Sequence, residues 1–273
     1  MTIHARIKKM TSMSGLTFDG VASLIIPTGL TYESFHIKTN LTAEQIKEVK
    51  ITLNDEAIYT PTGKDLRMLQ EYKGEPMLDG VFVVPFSDTS LREQGGIVNS
   101  ALVTERGDSI LLEISIGNAT EGQTVPQIDI YAVVSDAQAT RIFLPRLTYQ
   151  SMQAGAIGDN DFDNLVSAPY RFVRRMFFKS DAVAELEIKR DYVEEFKAPK
   201  DVNDYEQRRN NRAPIDGVYT FDPIQRGFVA GYAFPTLHAN ELKFRVKCTK
   251  GTPNIPILVE STEVVRPDLF AKK

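Results

Sequence analysis

The sequence predicts an all-β protein built as two tandem copies of one β-sandwich unit, each copy carrying one short helix. Three observations carry that reading. The same order of segments occurs twice, apolar and polar residues alternate at period two, and turn-forming residues punctuate the chain at short intervals. In the first half, Val49-Lys50-Ile51-Thr52-Leu53 is followed by Pro61, a helical segment opening at Asp65, and Leu78-Asp79-Gly80-Val81. In the second half, Leu186-Glu187-Ile188 is followed by Pro199, a segment opening at Asp201, and Ile215-Asp216-Gly217-Val218. The offset between copies drifts from about 138 to about 129 residues, as expected where loops vary and strand order does not.

The strands read as antiparallel. Val49, Ile51 and Leu53 are separated by Lys50 and Thr52, and Leu242, Phe244 and Val246 by Lys243 and Arg245, so each has one buried and one solvated face. Two helices stand out, Asp65 to Lys73 and Asp201 to Arg209, at equivalent places in the repeat. In the first, Asp65 caps the opening amides, Leu66 and Leu69 share a face, and Gly74 and Pro76 end the helix; in the second, Asp201 precedes Val202 and Tyr205. Each half is expected to close on a hairpin-like pair, Ile110 to Ile116 with Ile128 to Ala132, and Leu242 to Cys248 with Ile257 and Val259. Turns at Pro27-Thr28-Gly29, Asn54-Asp55, Arg106-Gly107-Asp108 and Lys250-Gly251 leave room for about eight strands per half, the number a Greek-key sandwich or jelly roll requires. Long loops are expected at Ser87 to Asn99 and Met152 to Ser167. The resulting division is a basic N-terminal segment (residues 1–14), a first sandwich (15–137) and a second with the C-terminal tail (138–273).

Composition narrows the function classes. With 42% hydrophobic and 25% charged residues in 273, the chain has the make-up of a folded globular protein, and no apolar run reaches the ~18 residues of a membrane-spanning helix. Residues 1–10 lack the apolar core of a secretory signal, and one cysteine excludes an internal disulfide framework. A net charge of −4 argues against a nucleic-acid coat, and no specific nucleic-acid contact is expected.

Catalytic motifs are missing: there is no G-x-S-x-G elbow, no H-E-x-x-H and no phosphate-binding glycine loop. His4, His36 and His238 are scattered, and Cys248 continues the apolar phase of its strand. Asp159, Asp161 and Asp163 are spaced two apart, as at the start of a calcium loop, which makes them the candidate metal ligands and Ca2+ the candidate ion. Asn164 stands where such a loop needs Gly, and Tyr170 where it needs Glu; a solvated acidic loop is the plainer reading. Ile3, Ile7 and Met10 fall on one helical face beside Arg6, Lys8 and Lys9, which describes either a short amphipathic segment on anionic lipid or a disordered basic tail. Further cations cluster at Arg171, Arg174 and Arg175 and at Arg208, Arg209 and Arg212. Strand alternation sends Arg174 and Arg175 to opposite faces, so at least one must meet a carboxylate, a neighbouring domain or a subunit.

The stretch Ile26-Pro27-Thr28-Gly29-Leu30-Thr31-Tyr32, then Val49 to Glu56, then Leu66-Arg67-Met68-Leu69-Gln70-Glu71-Tyr72, resembles the double jelly-roll major capsid proteins of tailless icosahedral viruses, in particular the corticovirus-type coat proteins of membrane-containing bacteriophages. The resemblance runs from about Gly15 to Val265 and implies two eight-stranded jelly rolls, no catalytic residue and no required cofactor. It further implies homotrimers of pseudo-hexagonal outline, contacts with neighbouring trimers and a vertex protein, and a membrane-proximal base carrying Arg6, Lys8 and Lys9. Assembly would take place in the host cytoplasm, with the protein ending in the virion. The competing classes are a carbohydrate-binding or carbohydrate-cleaving two-domain sandwich, weakened by the lack of tryptophan, and a two-domain adhesin.

Overall fold

The computed structural model describes residues 5–229 and 231–269. The chain divides into two compact units, the first comprising residues 5–71, 75–147 and 265–269 and the second 72–74 and 148–264.

The first unit contains β1 (Arg6–Lys9), β2 (Val21–Ile25), β3 (Thr31–Thr39), β4 (Ile46–Leu53), β5 (Glu56–Tyr59), α1 (Gly63–Tyr72), β6 (Val81–Pro85), α2 (Gln94–Ser100), β7 (Leu102–Val103), β8 (Ile110–Ile116) and β9 (Ile128–Ser135). One sheet has the order β1-β9-β3-β6, with β7 against β3, and the other runs β2-β8-β4-β5. Alternate residues of both sheets, including Phe35, Ile37, Val49, Ile51, Leu112 and Ile114, are fully buried, which is the core the period-two pattern predicts. The expected closing hairpin is not formed. β8 pairs with β2 and β4, whereas β9 pairs with β1 and β3, so the connection crosses from one sheet to the other. Apart from the β4–β5 pair, strands adjacent in sequence lie apart in the sheets, the order of a jelly roll.

The second unit repeats this plan with β10 (Phe143–Ala154, from Thr148 onward), β11 (Gly158–Phe162), β12 (Arg171–Phe178), β13 (Val183–Arg190), β14 (Val193–Pro199), α3 (Lys200–Arg209), β15 (Tyr219–Phe221), β16 (Phe234–Pro235), β17 (Leu242–Cys248) and β18 (Thr252–Val264). Its sheets run β10-β18-β12-β15, with β16 against β12, and β11-β17-β13-β14. Each strand occupies the place of the one nine earlier. The core gathers Leu186, Ile188, Phe244, Val246 and Cys248 with Met176, Phe178, Tyr219 and Phe221. Again β17 and β18 lie in different sheets.

Local chemistry explains the helices and turns. Thr62 opens α1: its hydroxyl accepts from the Asp65 N–H at 3.2 Å, while Asp65 Oδ2 accepts from the Thr62 N–H at 2.8 Å. Asp65 is thus the third helical residue of a reciprocal capping pair rather than the cap itself. Leu66 and Leu69 are buried as the spacing predicts. In α3 the faces are reversed. Asn203 and Gln207 are inside, both donating to the Thr220 carbonyl at 2.7 Å, and Val202 and Tyr205 are outside. Gly80 and Gly217, equivalent in the repeat, both take left-handed backbone, φ +71° and +70°; at Gly80 a Cβ would meet the Thr39 carbonyl oxygen at 2.6 Å. The first unit has a second helix, α2, inside the segment expected to be a long loop; its glycines and lack of apolar period hid it. Half of the other expected loop, Met152 to Ser167, is strand, the end of β10 and all of β11.

The β4–β5 and β13–β14 hairpins use the same tight turn. Asn54 and Asp55 have φ +49° and +68°, Asp191 and Tyr192 +47° and +70°. Asn and Asp tolerate this region, whereas a tyrosine is strained there. Replacing Tyr192 with glycine is expected to raise stability by about 0.5–1 kcal/mol, the relief of left-handed strain being partly offset by a freer unfolded chain. The readout is a higher urea midpoint; an unchanged or lower one would show that the turn carries no strain.

Candidate functional site

The residues singled out for chemistry are dispersed. His36 lies on β3, its Nε2 3.1 Å from the Ser34 hydroxyl, and burial lowers its pKa; His238 Nδ1 is 3.0 Å from the Thr236 carbonyl. His4 lies outside the described residues. Cys248 is buried, and desolvation pushes its thiol up despite an opposing hydrogen bond with Asn160. Among the described residues no group of three His, Cys, Asp or Glu side chains could hold a metal ion. Asp159 and Asp161 sit on β11 rather than in a loop, and Asp163 just beyond it. Along a strand, alternate residues stand about 6.5 Å apart, too far for their carboxylates to converge as calcium-loop ligands do. Asp161 instead faces Lys243 at 3.4 Å and Arg245 at 3.3 Å.

The N-terminal cations are likewise built into the sheet. Arg6–Lys9 form β1, paired antiparallel with β9, rather than an amphipathic helix or a free tail. Arg6 meets Asp136 at 2.7 Å, and Lys9 meets Asp129 at 2.9 Å and lies over the Tyr131 ring. Lys8 has no ion-pair partner among the described residues. Met10 is buried and Ile7 exposed, and Ile3 lies outside the described residues.

Arg174 and Arg175 do not go to opposite faces. The register slips between Val173, opposite Ser261, and Arg175, opposite Glu260, leaving Arg174 as the extra residue of a β-bulge. Both guanidiniums, 1% and 0% exposed, then reach Glu260, Arg174 at 3.3 Å and Arg175 at 2.9 Å. Lys73 joins the same carboxylate at 3.2 Å. Arg175 also binds Asp222 at 2.9 Å, where Tyr72 donates at 2.9 Å and Arg212 approaches to 3.7 Å. Burial pushes the Tyr72 hydroxyl well above its usual range, with Asp222 adding to it, so it remains a donor. The sequence flagged the arginines; it held no signal for the bulge or for Glu260 as their common partner. Of the other basic residues in these clusters, Arg171 pairs with Glu263 and Arg209 with Glu206.

The surface missed in the sequence is the tip and edge of β13–β14. Tyr192 and Val193 are 74% and 64% exposed, and every residue of β14 except Phe196 and Ala198 is exposed. The turn is nonetheless anchored. Asp191 accepts backbone N–H bonds from Ala239, Asn240 and Glu241, and Arg190 binds Glu195 at 2.8 Å and donates to the Pro235 and Leu237 carbonyls. Its alignment with Asn54-Asp55 was the available signal: two polar turn residues in one copy, an aspartate and a tyrosine in the other.

Two outcomes follow from these sites. Glu260→Gln should destabilise the protein by about 3–5 kcal/mol by stranding buried cations, whereas Glu263→Gln, at a less buried pair, should cost within about 1 kcal/mol; thermal unfolding compares them. The amides of Asn240 and Ala239, with Glu241, hold the Asp191 carboxyl below its ordinary 3.8. Because the folded value is depressed, the anchor is complete above that ordinary value and is lost as pH falls through the depressed one. NMR resonances of the Ala239–Glu241 amides should move together in that acid range and stay fixed above it.

The structure thus has two jelly rolls and, among the described residues, no cluster able to hold a metal ion. The family pattern of the viral coat protein P2 N-terminal domain matches residues 7–135, and that of the P2 C-terminal domain residues 144–265. No curated protein sequence matches the chain. Among solved structures, the major capsid protein P2 of bacteriophage PM2 is similar at a TM-score of 0.86 and 20% identity, over 96% of this chain and 98% of that one. A chain of Sulfolobus turreted icosahedral virus aligns at 0.69 and 12% identity, covering 97% and 92%. One from the PBCV-1 virus capsid aligns at 0.63 and 9%, covering 95% and 93%. These likenesses show the double jelly-roll fold. With both halves matched by the two domain patterns, the chain belongs to the viral coat protein P2 family, a structural protein of the virion capsid and not an enzyme.

Proposed function

We propose that this chain is the major capsid protein of an icosahedral virion, assembling as homotrimers of pseudo-hexagonal outline that tile the shell over an internal membrane. The observation that carries the reading is the strand-for-strand duplication, in which β1 to β9 and β10 to β18 hold the same places in the same two sheet orders. Three such chains around one axis present six sandwiches of one topology, so a three-fold object fills a six-fold lattice position. The partners are then neighbouring trimers and, where the lattice closes, a different vertex protein. The likeness to the PM2 major capsid protein over nearly the whole of both chains supports the same role here. The membrane beneath the shell rests on the family resemblance. Of the proposed membrane-proximal cations, Arg6 and Lys9 are engaged by Asp136 and Asp129, and Lys8 is left to face lipid or another chain.

Light scattering on the purified protein should give a particle of about 92 kDa, three chains of 30.6 kDa, and negative-stain microscopy of source material should show shells. A stable monomer without lattice contacts would remove the proposal.

A further inference from the structure

We propose that the copies are joined by strand pairing, the open edge of β14 in one copy receiving β1 of the next. The inference rests on the trimeric reading above and specifies its interface. Its basis is a difference between two edges that the duplication makes equivalent. In the first unit the outer edge of β5 is covered. Leu147 pairs in parallel with Tyr59, the Thr60 N–H donates to the Leu147 carbonyl at 2.9 Å, and the neighbouring Arg146 binds Glu56 at 2.7 Å. The covering residues belong to β10, which holds the place in its sheet that β1 holds in the other. In the second unit β14 is the counterpart of β5, and among the described residues no strand lies on its outer edge.

β1 is equally bare, with all four residues exposed and one edge unpaired. Bare edges invite pairing, and charge decides with what. β1 reads Arg6-Ile7-Lys8-Lys9, and β14 opens Val193-Glu194-Glu195. Each edge repels its own kind and attracts the other. Of the charges on these two strands, Arg6, Lys9, Glu195 and Lys197 pair within the chain, and Lys8 and Glu194 close no ion pair among the described residues. Both edges also expose an aliphatic side chain, Ile7 and Val193. The contact is head-to-tail, so it repeats from copy to copy and, in the trimer, closes as a ring of three.

The test combines charge exchange with backbone protection in the whole chain. Lys8→Glu and Glu194→Lys should each weaken the trimer about tenfold in sedimentation or light scattering, and the double variant should restore it. In the wild type, the amides of residues 6–10 and 193–197 that are unpaired within one chain should be protected from hydrogen exchange in the trimer. A trimer of about 92 kDa in which these amides exchange as unpaired ones do would overturn the interface and leave the trimer standing. So would an intact Lys8→Glu trimer that is captured less well by anionic phospholipid vesicles, which would assign Lys8 to a membrane. A monomer at every concentration would overturn both readings.

Discussion

The structure depends on one constraint: each sandwich coheres only when its long connections, such as those from β8 to β9 and from β17 to β18, deliver successive strands to opposite sheets with their apolar phase facing inward. β8 and β9, or β17 and β18, place Ile114 with Ile130 and Phe244 with Ile257 in one core from two different layers. Nearly all pairing is therefore between distant segments, which couples each unit into a cooperative whole and predicts slow folding relative to helical proteins of this size. The same wrapping leaves terminal strands in every sheet, and what covers those strands becomes the functional question.

Much of the fold was legible because duplication and period-two alternation are local patterns that packing obeys. Val49-Ile51-Leu53 and Leu242-Phe244-Val246 are strands in the predicted phase, and the two helices lie where they were expected, opening two residues before Asp65 and one before Asp201. The misreadings have physical causes. A strand, a turn and a strand look like a hairpin until the sheet order is known, so the crossing between layers was invisible. Asp159-Asn160-Asp161 has the spacing of a calcium loop and also that of an exposed strand, and pairing with β17 decided for the strand. In α3, Val202 and Tyr205 suggested the inner face, but the inner positions are served by amide side chains that satisfy the Thr220 carbonyl. The bulge at Arg174 leaves no trace in residue order alone, and the exposed β13–β14 tip shows only when its turn is aligned with Asn54-Asp55.

The ion cluster around Glu260 and Asp222 illustrates what such a centre contributes. Buried pairs gain little net stability over apolar packing, yet removing one member is costly, so they hold one arrangement against its neighbours. Here a slipped register is what brings Arg174 and Arg175 to a common carboxylate. A strand paired without the bulge would strand a guanidinium, and the cluster thereby fixes the register of β12 on β18.

The placement of Cys248 has a consequence for the particle as a material. The thiol is sealed between the sheets of the second unit, and desolvation keeps it protonated, so the nucleophilic thiolate is suppressed and oxidants are screened from it. With no other cysteine in the chain, a shell built from many copies offers no ready site for disulfide exchange. Disulfide links between copies then contribute nothing to its durability in air.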